Sequence, residues 1–419
     1  MRVGGTPANG SGAAFLALSV LHTTMSASRS PRWFVSVGVA YLVAFQAAAV
    51  TDAGRTTLAV LGVHGFVVHV LLGKAQALVP TYFDRDLATP WIARAALPLT
   101  ALGVAATAGW LATGASVLAV GPVVWAVGVA VVVVVLLASI RGNLTGRETG
   151  TGKHNADRRR VDRAANAAMP VALAYLATGA YQTAAAATTA STSVVVPVLD
   201  GGLPVAVHLV AAGGALVALF AVGFRLFPRF LVATPPWPLV AVVLPAGALA
   251  PALLAVDFYG DALFHAGAAL EAVAVGGFGL TYAVLYARSD RSRVGLRAVL
   301  AAVASGAAGV AIGVAFATGT LAPTPARVLA HLRLNVLGLL GFAIVGALYQ
   351  FYPPSVGRLP GCSDRLALAS VVALAVGLWV EAAGRLTGEA VVASAGATLG
   401  LIGGLAVAYL VGAAFLARR

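Results

Sequence analysis

Apolar runs long enough to cross a bilayer recur along the chain, each ended by a short polar or Pro/Gly cluster. A transmembrane helix needs about 20 mostly apolar residues. Twelve stretches qualify: roughly 33–51, 56–80, 91–113, 115–140, 165–185, 203–227, 237–256, 262–287, 294–318, 326–353, 365–385 and 389–416. They are separated by segments such as "TDAGR", "FDRDLATP", "TPPWP", "RSDRSR" and "APTPAR", whose residues punctuate helices. The third and fourth spans part only at Thr113-Gly114. The pattern predicts an all-α polytopic integral membrane protein of about 12 transmembrane helices. Residues 1–32 read as a cytoplasmic or interfacial N-terminal segment, and 33–140 as helices 1–4. Residues 141–164 read as a basic, flexible cytoplasmic linker, and 165–419 as helices 5–12 of the same membrane domain. The apolar stretch 13–27 is short and no A-x-A-like site follows it. It reads as an interfacial segment or an extension of the first helix rather than a cleavable signal.

Composition narrows the class. The 419 residues are 60% hydrophobic and 10% charged, whereas a soluble domain carries about 25% charged residues to coat its surface. A soluble fold is excluded, and a multi-pass protein of the cell membrane is expected. The lone Cys362 rules out an internal disulfide and any cysteine-built zinc or iron–sulfur site. The 48 glycines suit helices that approach closely in lipid.

The net charge of +13 would fit nucleic acid, but its distribution fits topology better. With the N-terminus inside, cytoplasmic segments hold every Lys and Arg except Arg55, Arg327, Arg333 and Arg385. The positive-inside rule thus supports twelve spans with both termini cytoplasmic, and no nucleic-acid partner is needed. The "GRETGTGK" run at 146–153 resembles a phosphate loop only superficially, without the flanking strand or the spacing. "NLT" at 143–145 matches a glycosylation acceptor but falls on the cytoplasmic side.

Of seven histidines, His22 and His154 fall outside the spans. The other five, His64, His69, His208, His265 and His331, lie on spans two, six, eight and ten, near the outer ends. Ionisable groups inside a bilayer are costly and are functional candidates by default. The competing reading is that each bonds a neighbouring helix, but several at one depth favour a shared site. Imidazole suits iron and copper, and a six-coordinate haem takes one axial imidazole on each face. Span ten supplies His331, then Arg333, Asn335, Gly338, Gly341 and Gly346, combining a ligand, a cation and small residues. His64 and His69 are five apart and face different directions on an α-helix. Glu271, six residues after His265, is a candidate proton acceptor or a neutral interhelical bond. Glu381 and Arg385 read as an ordinary i,i+4 pair. Weak repetition links three spans: "GKAQALVP" in span two, "GALYQFYP" in span ten and a shorter "GFRLFP" in span six.

Twelve spans with histidines on two, six and ten, and the segments "VHLVAAGGALVALFAVGFRLFPRF" and "AHLRLNVLGLLGFAIVGALYQFYPP", resemble subunit I of haem–copper oxidases. They look still more like its reduced relatives, the NnrS-type membrane proteins. The resemblance implies haem b, or copper, in electron transfer or nitric-oxide handling, with a redox partner protein in addition to the lipid bilayer. It implies His64 and His331 as an axial pair, Arg333 as a propionate partner and His208 beside a second metal. The chain departs from the oxidases: His208 is followed by Leu-Val, span seven has no histidine, and Arg333 stands where a second histidine would be. Oxygen reduction is therefore not expected. His265 and His69 remain further candidate metal ligands. A metal-free permease, or a structural subunit of a membrane complex, is the alternative reading.

Overall fold

The computed structural model describes residues 31–188 and 197–418. The segment 13–27 and His22 lie outside the described residues. Among the described residues twelve long helices follow one another: α1 Pro31–Val50, α2 Arg55–Tyr82, α3 Pro90–Thr113, α4 Ser116–Ile140, α5 Arg159–Thr188 and α6 Gly202–Leu231. The rest are α7 Trp237–Val256, α8 Ala262–Ala287, α9 Val294–Ala317, α10 Pro325–Phe351, α11 Asp364–Thr387 and α12 Ala390–Leu416. No strand occurs among the described residues. The protein is an all-α polytopic membrane protein, and eleven of the helices are long and apolar enough to span. The exception is α5, which is alanine-rich. Its Asp162, Asn166, Gln182 and Thr183 are all buried, so its polarity faces protein rather than lipid.

Three helices form the centre. Burial reaches 83% in the most apolar stretch of α2, 78% in α10 and 67% in α6, against 28–50% in the other spans. Each of these three contains a π-helical segment: Val60–Val67 in α2, Leu209–Leu216 in α6 and Leu334–Gly341 in α10. The three segments touch one another pairwise. The recurrence every fourth helix matches the sequence repetition among spans two, six and ten. A π turn widens the helix by one residue, and such turns concentrate at functional sites.

Glycine sets the closest crossings. A Cβ on Gly346 of α10 would stand 2.6 Å from the Gly295 carbonyl of α9, and one on Gly338 would stand 2.5 Å from the Ser305 side chain. These span-ten glycines allow backbone-close packing against α9, the small-residue mode of association in lipid.

The segment 141–158 hydrogen-bonds to the end of α2. Asn143 Nδ2 donates to the Phe83 and Glu148 carbonyls at 3.2 and 2.7 Å, and Gly150 N donates to the Tyr82 carbonyl at 3.3 Å. Helix α5 begins at Arg159 rather than near 165. Its buried Asp162 pairs with Arg229 at 2.7 Å. The physical reason is that the carbonyls ending α2 need donors, and the polar linker residues supply them.

Candidate functional site

A cavity of about 270 Å³ opens among α2, α6, α7, α8, α9 and α10 at the end opposite the 141–158 segment. The bias of basic residues makes this the extracytoplasmic end. Its walls are mainly apolar, and His208, His331, Glu271, Asn335 and Arg55 bring polarity to it.

His208 and His331 face each other across this space, with ring centroids 6.5 Å apart and planes within 17° of parallel. His331 Nδ1 lies 2.8 Å from the Gly309 carbonyl of α9. A carbonyl can only accept, so Nδ1 carries the proton and the neutral ring keeps its lone pair on Nε2. His208 Nδ1 donates in the same way to the Pro204 carbonyl at 3.0 Å. Such a carbonyl partner behind an imidazole is the usual support of a metal-ligating histidine. Asn335 Nδ2 donates to the His331 carbonyl at 2.8 Å. Phe258 packs edge-on against His208, with centroids 4.8 Å apart, and Phe316 flanks His331 at 5.9 Å.

Two glycines of α9 seat this arrangement. A Cβ on Gly313 would lie 2.9 Å from His331 Cε1, and one on Gly309 would lie 2.6 Å from Asn335 Nδ2. Both glycines belong to "SGAAGVAIG" at 305–313, a visible small-residue run whose partner the sequence does not name. Glu271 reaches the cavity wall, with Oε2 buried and unpartnered among the described residues. Arg55 stands at the mouth and is exposed.

The other candidate residues lie elsewhere. His64 is buried and stacks on Trp125 of α4, with centroids 4.1 Å apart, and it is not among the residues lining the cavity. His331 therefore meets His208 rather than its expected partner. His69 is buried between Phe34 and Tyr41. Its Nδ1 donates to the Gly65 and His64 carbonyls at 2.7 and 3.1 Å. The wide turn at Val60–Val67 brings His69 over the His64 carbonyl, closer than α-helical spacing predicts. His265 is exposed and its Nδ1 donates to the Asp261 carbonyl one turn back.

Arg333 pairs with Glu381 through Nε and Nη2, while its Nη1 is buried without a hydrogen-bond partner among the described residues. Its Nε lies 3.1 and 3.0 Å from the two Glu381 carboxylate oxygens, and Nη2 lies 2.7 Å from Oε2. Both side chains are buried, and the guanidinium stands 4.4 Å from the Phe45 ring centre. Glu381 also accepts from Arg385 Nε at 3.0 Å, and Arg385 reaches Asp52 at 3.3 Å. Glu381 is thus the hub of a buried network rather than half of a surface pair. A buried arginine in lipid requires an acid, and Glu381 is one of the few carboxylates within the spans.

Among the described residues no three His, Cys, Asp or Glu side chains converge on one point. The site therefore offers two protein ligands, too few for the four-coordinate sites zinc prefers. As shaped, the cavity lies just below the roughly 300–1,000 Å³ of pockets that enclose drug-sized ligands.

Fold and site define a polytopic helical membrane protein with a facing pair of histidines in an apolar cavity. No family model matches the chain, and no curated protein matches it.

Proposed function

We propose that the protein is a membrane metalloprotein in which His208 and His331 grip one copper ion. By its resemblance to the reduced oxidase relatives, it acts in one-electron transfer or nitric-oxide handling and not in oxygen reduction. The observation that carries this reading is the near-parallel imidazole pair, 6.5 Å apart, with each Nδ1 bound to a backbone carbonyl. Both lone pairs on Nε2 are thereby left for a ligand. Imidazole is a good copper ligand. Bound copper would supply a one-electron couple in a water-poor setting. The protein orients the rings through Gly309 and Pro204, excludes water with Phe258 and Phe316, and leaves space for a small molecule beside the ion.

The test is metal analysis and a visible spectrum of detergent-purified protein. The expected result is one equivalent of copper, falling below a tenth in His208→Ala and in His331→Ala and retained in His64→Ala and His69→Ala. A sharp reduced Soret band lost in the same two variants would assign the pair to haem iron instead. Protein without metal after expression in copper-supplemented medium would remove the proposal and favour a permease or structural subunit.

A further inference from the structure

Three cations meet at the cytoplasmic end of the bundle with no carboxylate partner among the described residues. Lys74 Nζ stands 3.8 Å from the Phe351 ring centre and 4.5 Å from that of Tyr352, and donates to the Tyr352 hydroxyl at 3.2 Å. The Arg418 guanidinium lies 5.4 Å from the same Tyr352 ring, and its Nη1 donates to the Phe351 carbonyl at 3.3 Å. Arg32 Nη1 donates to the Arg418 carbonyl at 3.0 Å. The ion pairs of the described residues leave all three out. Like charges gathered in one aromatic frame repel unless an anion joins them.

Lys74 is also the one polar side chain lining a second cavity, about 100 Å³, between α2, α6 and α10. The rest of its wall is aliphatic or aromatic, and Leu71, Leu219, Ile344 and Ala347 in it are half-buried, so it is not sealed. It has room for a few methylene groups.

We infer that this corner binds an anionic phospholipid, with the phosphate on Arg32, Lys74 and Arg418 and the start of one acyl chain in the cavity. Basic pockets between helices on the cytoplasmic side are suited to anionic headgroups. Inorganic phosphate shares the charge but has nothing to place in the apolar space.

The test is native mass spectrometry of the full chain released from nanodiscs of equal parts phosphatidylglycerol and phosphatidylcholine. The expected result is preferential retention of phosphatidylglycerol. Arg32→Gln with Arg418→Gln should lower that retention on the order of tenfold. Both side chains are at least partly exposed, so the neutral variant should fold. Ala347→Phe, which fills the cavity and keeps the cations, should lower retention as well. Equal retention of the two lipids, unchanged in the Arg32→Gln/Arg418→Gln protein, would overturn the inference. Displacement by millimolar inorganic phosphate would also overturn it, by reducing the corner to a simple anion site.

Discussion

The carbonyl of Gly309, 2.8 Å from His331 Nδ1, decides which nitrogen of that ring carries the proton. Asn335 Nδ2 lies 3.4 Å from the same Nδ1, but two N–H groups cannot bond each other, so it serves the His331 carbonyl instead. The chemistry of the cavity thus depends on a backbone atom of another helix. That histidines lie within the spans was legible in the sequence, and they stand out because imidazoles are scarce and expensive in lipid. Which ones pair was not, since spacing along a chain gives no distance between helices. Arg333 teaches the same lesson: its charge was visible, but Glu381, 48 residues on, is its partner only in space. Removing one partner of a buried ion pair leaves an uncompensated charge and costs about 3–5 kcal/mol. Glu381→Met should therefore lower the thermal midpoint in detergent sharply, and adding Arg333→Met should recover most of the loss. Equal melting of Glu381→Met and wild type would show that the network contributes nothing.

At the scale of elements, the spans were readable because a helix in lipid must be apolar over its full length. Their ends were readable from Pro, Gly and charge. The π-helical segments of α2, α6 and α10 were not, because they differ from α-helix by a one-residue shift in hydrogen bonding, not by composition. They change which residues share a face, which is why His69 lies over the His64 carbonyl. Helix α9 illustrates a second limit. It carries no candidate ligand, yet its Gly309 and Gly313 position His331. Gly313→Val should push the imidazole aside, since even a Cβ there stands 2.9 Å from its ring. The expected outcome is metal retention lowered more than tenfold while the bundle still elutes as a monodisperse species. Full metal content in this variant would mean that the ring position is not critical.

Across the whole molecule, α2, α6 and α10 are the most buried of the spans among the described residues. One consequence is that two cavities lie along the same central trio, with Leu340 lining both. The outer one holds the imidazole pair, and the inner one ends at Lys74. The positive-inside pattern assigns the basic loops, and with them Arg32, Lys74 and Arg418, to one end of the bundle. It could not anticipate that α5, the least apolar helix, faces its polar groups inward, since hydropathy does not report which neighbours a helix finds. The proposed metal ion between His208 and His331 is tested most directly by X-ray absorption at the copper edge of the purified protein. The expected result is two imidazole nitrogens at about 2 Å from the metal, with that signature lost in His208→Ala/His331→Ala. Copper held by other donors, or the same spectrum from the double variant, would contradict it.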